Sequence, residues 1–136
     1  MLVWRLECDM TSNPALVNPK LVDEDYCYIT TVGRVSGKPH TIEIWFGAEG
    51  DTLYVLAGSG HDADFVRNAK RQPAVDVRVG AEASFSARAR IVIDHDEDAR
   101  VRRLLLEKYS PPRYEGDLSD WGRTALPVAF DLVERR

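Results

Sequence analysis

Residues 26–57 leave space for three strands and no helix, and this constrains the fold more than any other stretch. Residues 26–32 (YCYITTV) are rich in aromatic and β-branched side chains, the composition of a strand. Residues 33–39 break that run with two glycines, a serine and a proline. Residues 40–47 then alternate, with Ile42, Ile44 and Phe46 on one face and Thr41, Glu43 and Trp45 on the other. After a turn at 48–51, residues 52–57 (TLYVLA) make a third strand. Strands joined by such short turns are expected to pair in order as an antiparallel meander.

The remaining chain alternates short helices with further strands. A helix is expected over 62–71, with Asp62 or Asp64 near its start, Pro73 beyond its end, and Phe65, Val66 and Ala69 on its buried side. Strands are expected at 74–79 and 83–93, the second alternating through Phe85, Ala87, Ala89 and Ile91. Residues 94–97 resemble a capping box that opens a longer helix over 96–109, where Val101, Leu104, Leu105 and Tyr109 fall at helical spacing. A proline-containing loop over 110–123 and a last strand over 124–133 complete the pattern. The expected fold is mainly β (α+β): a split antiparallel barrel of about six strands with two or three flanking helices. The lack of alternating βαβ units speaks against a parallel doubly wound sheet.

With 136 residues the chain suits one domain spanning 1–136, with a poorly patterned lead-in over 1–19. Met1–Leu6 is apolar, but Glu7 and Asp9 interrupt it before a signal-peptide core could form, and Met10 is a possible alternative start. Nothing reaches the length of a transmembrane helix, so stable membrane insertion is not expected. A net charge of -4 and a pI near 5.4 argue against a nucleic-acid partner, so any anion must be held by locally placed cations. Cys8 and Cys27 are too few for a disulfide framework, and no Cys/His spacing suits a metal. Reduced thiols and a cytoplasmic location are the expectation.

Residues 33–40 (GRVSGKPH) gather donors between two strands. Arg34 can grip a phosphate with two parallel hydrogen bonds, and Lys38 adds a point charge. Ser36 offers a hydroxyl, Gly37 admits close backbone N–H groups, and His40 begins the outgoing strand. The same residues also suit a solvated hairpin loop. GxxxxGK[ST] is not matched and no helix follows, so this is not a P-loop. A second glycine loop, Ala57-Gly58-Ser59-Gly60-His61, precedes the helix and could present N–H groups to an anion or ring carbonyl, or simply connect. His61 and His95 have no sequence-evident nucleophile or orienting partner. Tyr109, Tyr114 and Trp121 flank the proline loop; they are candidates to wall a substrate pocket, and equally to pack that loop down. No GxSxG or HExxH motif supports a hydrolase.

Blocks 30–46 (TTVGRVSGKPHTIEIWF), 50–57 (GDTLYVLA), 66–79 (VRNAKRQPAVDVRV) and 121–128 (WGRTALPV) together resemble the deazaflavin (F420)-dependent nitroreductase family, over about residues 18–132. That resemblance implies a split β-barrel binding coenzyme F420, with Arg34, Ser36, Gly37, Lys38, Pro39 and His40 at the cofactor's phosphate end. It places Trp45, Phe46 and the run Ala57, Gly58, Ser59, Gly60 and His61 beside the ring, with Asn68 in the adjoining helix. It further implies hydride transfer from the reduced deazaflavin to a small quinone-like, nitro or enone acceptor, with no catalytic residue of its own assigned. The family's lysine in loop 58–61 and its tryptophan at position 65 are absent here. The alternatives are an FMN-binding oxidoreductase of the same barrel, or a cofactor or ligand carrier without turnover. A homodimer is expected, because pairing covers exposed sheet.

Overall fold

The computed structural model describes residues 19–81 and 83–135. The lead-in expected over residues 1–19, the possible start at Met10 and the Cys8 thiol lie outside them, Pro19 apart. The described residues form seven strands: β1 (Cys27–Val32), β2 (Pro39–Ile44), β3 (Gly47–Glu49), β4 (Thr52–Ala57), β5 (Ala74–Val79), β6 (Ala83–Ile91) and β7 (Leu126–Arg135). Among the described residues four α-helices accompany them: α1 (Pro19–Val22), α2 (Asp64–Arg71), α3 (His95–Lys108) and α4 (Ser119–Thr124). No described helix is long and apolar enough to cross a membrane.

All strands belong to one antiparallel sheet ordered β2-β1-β5-β6-β7-β4-β3. Its two outermost strands, β2 and β3, are consecutive in the chain and joined only by Trp45 and Phe46. At roughly 3.5 Å per residue such a link spans about 10 Å, so the sheet must curl until its edges nearly meet. The result is the split half-barrel.

The expected meander is corrected here: β2 pairs only with β1, while β4 pairs with β3 and with β7, where Leu53 faces Phe130 and Tyr54 faces Ala129. The single strand expected over 40–47 breaks at Phe46 because other groups take its backbone. Phe46 N–H donates to the Tyr109 hydroxyl at 3.0 Å, and its carbonyl accepts from that hydroxyl at 3.1 Å and from Lys108 Nζ at 2.9 Å. With no ladder partners left, the strand ends, and β3 restarts as a hairpin with β4 around Gly50, whose φ is +60°.

Two cores hold the curl. Ile29, Leu53, Val55, Phe65, Val66, Val77 and Phe130 fill the barrel interior. On the outer side of β4, Tyr54 and Leu56 meet Val101 and Leu105 of α3. Burial on both faces explains why residues 53–57 show no polar alternation. α3 starts where Asp94 accepts a hydrogen bond from Glu97 N–H at 2.9 Å, one residue earlier than the expected start of 96. α4 falls inside the expected loop 110–123 and delays the last strand to Leu126. Gly122 disguises that helix in the sequence, yet a Cβ there would sit 2.6 Å from Leu106 Cδ1, so glycine lets α4 lie against α3 without displacing that leucine.

Candidate functional site

Loop 33–38 closes through backbone bonds from Gly33 N–H to the Lys38 carbonyl (2.8 Å) and from Gly37 N–H to the Gly33 carbonyl (2.9 Å). Gly37 takes φ +73°, which favours glycine. Ser36 Oγ accepts from Lys38 N–H at 3.1 Å and lies 3.4 Å from His40 Nε2. A Cβ on Gly33 would meet that imidazole nitrogen at 2.6 Å and Ser36 Oγ at 2.7 Å. The missing side chain is the cradle over which hydroxyl and imidazole fold.

Arg34 is fixed from below by α2. Asn68, 3% exposed, accepts at Oδ1 from Arg34 N–H (3.1 Å) and from its Nη1 (2.7 Å), and donates from Nδ2 to Oγ1 of buried Thr31 (3.1 Å). A buried amide is stable only when satisfied in this way. On the outer side Arg34 Nη2 donates to Asp64 Oδ1 at 3.1 Å. These residues line a pocket of about 450 Å³, with Ser36, His40 and Arg34 offering donors and Val35, Ile42 and Phe65 an apolar wall. That donor set suits a phosphate group beside a flat, partly apolar body.

Of the expected cofactor residues, Arg34, Ser36, His40 and Asn68 share this pocket. Gly37, Lys38 and Pro39 shape the same loop without lining the cavity, Pro39 as the first residue of β2. Asn68 acts on Arg34 rather than standing apart in the helix. Phe46 and Ala57 are each 1% exposed, deep in the core, and are closed to a ring. Gly58, Ser59, Gly60 and His61 form an open loop ending in a 3₁₀ turn (Gly60–Asp62), away from the cavity lining, with Lys70 Nζ bonded to His61 Nδ1.

Trp45 joins the aromatics expected on the substrate side. It stacks on Tyr109 with ring centroids 4.2 Å apart and planes at 5°, and meets Tyr114 and Trp121 edge-on at 5.2 and 5.6 Å. Tyr109 is buried, and its one hydroxyl proton is shared between the Phe46 carbonyl and the closer Asp25 carbonyl at 2.7 Å. Burial pushes that phenol above its ordinary range, and its bonds are spent on the β2–β3 break. Tyr109 is therefore a packing residue, and the cluster clamps loop 110–118 and α4 onto the barrel. Beside it, burial and then Arg113 push Lys108 down to about 8, while its Nζ bonds the Glu24 and Phe46 carbonyls.

Sequence reasoning missed Thr31 and the pocket role of Asp64. Thr31 had a signal: it falls on the same face of β1 as Cys27 and Ile29, and a threonine there needs a polar partner inside. Asp64 had none, since its sequence position marks it only as an N-terminal helix residue.

The structure is similar to several solved ones. A proposed 5-nitroimidazole antibiotic resistance protein from Bacteroides thetaiotaomicron superposes with a TM-score of 0.71 at 13% identity, over 92% of this chain and 82% of that one. The heme storage protein from Vibrio cholerae gives 0.67 at 15% identity, over 92% and 96%. An F420-H2 dependent reductase gives 0.61 at 20% identity, over 78% and 93%. At these identities the likeness establishes the split-barrel fold. No curated protein matches by sequence. A family model, F420H(2)-dependent quinone reductase, matches residues 7–132. That match covers almost the whole chain, including the Arg34 loop, Asn68 and the Trp45 cluster, and the chain therefore belongs to the F420H(2)-dependent quinone reductase family of deazaflavin-dependent reductases.

Proposed function

We propose that the Arg34 pocket holds the phosphate end of F420 and that the enzyme reduces a small quinone-like, nitro or enone acceptor. One observation carries the reading: the Arg34 guanidinium is held by a buried Asn68, bonded at both ends of its amide, at the wall of a cavity with room for a phosphate and an apolar body. Reduced deazaflavin, when bound, supplies a hydride to the acceptor. The protein's own work is binding and exclusion. Arg34, Ser36 and His40 donate hydrogen bonds to the anionic end, while Phe65, Ile42 and Val35 keep water from the cavity wall.

Fluorescence titration of F420 into the purified chain tests the reading. Saturable quenching that weakens about tenfold or more in Arg34→Ala supports it, a charge-assisted fork being lost. A flavin absorption band after purification, with no response to F420, points instead to FMN. Turnover with a panel of quinones, nitroaromatics and enones then separates the acceptors. The cytoplasm is the working compartment, supported by the free, buried Cys27. A homodimer is supported by the exposed edge strand β2, and light scattering decides between one and two copies.

A further inference from the structure

We propose that Asp64 is the resident counter-ion of the Arg34 site, and that a phosphate group binds by displacing it from the guanidinium. The inference rests on reading this pocket as an anion site and adds how the site is regulated.

The two sides of Arg34 are held very differently. Inward, its backbone N–H and Nη1 both meet Asn68 Oδ1, and that amide is itself anchored on Thr31, which is 1% exposed. Outward, Nη2 meets one carboxylate oxygen of Asp64, whose side chain is 83% exposed and makes no other side-chain hydrogen bond among the described residues, while Nη1 also reaches the Asp64 backbone carbonyl at 3.5 Å. Removing the inner contact would orphan buried groups; removing the outer one returns a carboxylate to water. The orientation of Arg34 thus survives the loss of Asp64.

The outer contact is also a poor match for the fork. The Asp64 carboxylate engages it through one oxygen, whereas a phosphate can take two parallel hydrogen bonds. Asp64 stands in the first turn of α2 and lines the same cavity as Ser36 and His40, so a rotation about its χ1 takes the carboxylate off Nη2 without moving backbone, and leaves only the long contact of Nη1 to the Asp64 carbonyl. While Asp64 stays, Arg34 and Asp64 cancel in formal charge and the pocket attracts anions weakly.

The test titrates inorganic phosphate into the full chain at low salt and follows the backbone amide resonances of Arg34 and Asn68. Asp64→Asn should tighten phosphate about three- to fivefold, the size expected for freeing a fork from an exposed ion pair. Asp62→Asn removes the same charge two residues away, from an exposed side chain with no bond to Arg34, and should leave the affinity nearly unchanged. Thermal melting of each variant confirms that the fold is kept. Equal tightening in both variants, no change in Asp64→Asn, or no phosphate binding by either protein overturns the proposal. The same proteins titrated with F420 separate the two ideas. Phosphate tightening without F420 binding keeps the counter-ion and removes the F420 reading; F420 binding that Asp64→Asn does not strengthen does the reverse.

Discussion

Asn68 Oδ1 receives both the main-chain N–H and the guanidinium of Arg34, at 3.1 and 2.7 Å, across 34 positions of sequence. One buried amide thus locks a loop and a helix of the barrel into a single unit, and sets which way the arginine faces.

Asn68→Ala should separate those roles. Thr31 Oγ1 and Arg34 N–H lose their partner, which costs about 1–3 kcal/mol for buried groups left unsatisfied. Urea unfolding reads that loss. F420 affinity should fall further than stability predicts, because the unpinned Arg34 relaxes toward Asp64. Asn68→Asp keeps an acceptor for Arg34 and should retain more affinity than Asn68→Ala.

Gly33→Ala places a methyl 2.6 Å from His40 Nε2 and 2.7 Å from Ser36 Oγ. The backbone φ of Gly33 is not in the left-handed region, and both obstructing atoms end flexible side chains, so stability should change by less than about 1 kcal/mol. The imidazole and hydroxyl must swing out of the pocket. Cofactor titration should therefore show weaker binding in a protein whose unfolding midpoint is almost unmoved.

The strand-rich class and the Arg34 loop are legible because both depend on neighbours in sequence: alternation along a strand, glycines at a turn, a cluster of donors. What stays hidden is long-range. The pairing of β4 with β7 joins Leu53 to Phe130, and no local pattern announces that β4 does not pair with β2. The break at Phe46 is caused by Tyr109, 63 residues on, whose phenol substitutes for strand partners. The resemblance places Trp45 beside the ring, and the break at Phe46 stacks it on Tyr109, a contact that no local pattern announces. Gly122 hides α4 by masking a packing requirement as a helix breaker.

Tyr109→Phe tests that break directly. The stacked ring on Trp45 is retained, but the Phe46 N–H is left without its partner in a buried setting. The loss should be about 1–3 kcal/mol in urea unfolding. F420 binding should keep its wild-type affinity, since the Tyr109 hydroxyl lies outside the Arg34 pocket. A large drop in affinity instead would return Tyr109 to the functional site.

Acid stability should carry the signature of Glu97. Arg90 grips its carboxylate with two bonds of 2.8 Å and Tyr54 adds one of 2.6 Å, holding its pKa near about 2 against an ordinary 4.5. Because the folded value is lower, the network stabilises the fold fully above pH 4.5 and loses that contribution as the pH falls toward about 2. The side chain of Glu97 is well buried, but Arg90 is 41% exposed, so screening reduces the contribution to roughly 2 kcal/mol. Urea midpoints at pH 6 and at about pH 3 should therefore differ more in the wild type than in Glu97→Gln, which is weaker at pH 6 and flatter below. An equal pH dependence in the two proteins would move the acid sensitivity to other carboxylates, with Asp131, the second anion on Arg90, the next to replace.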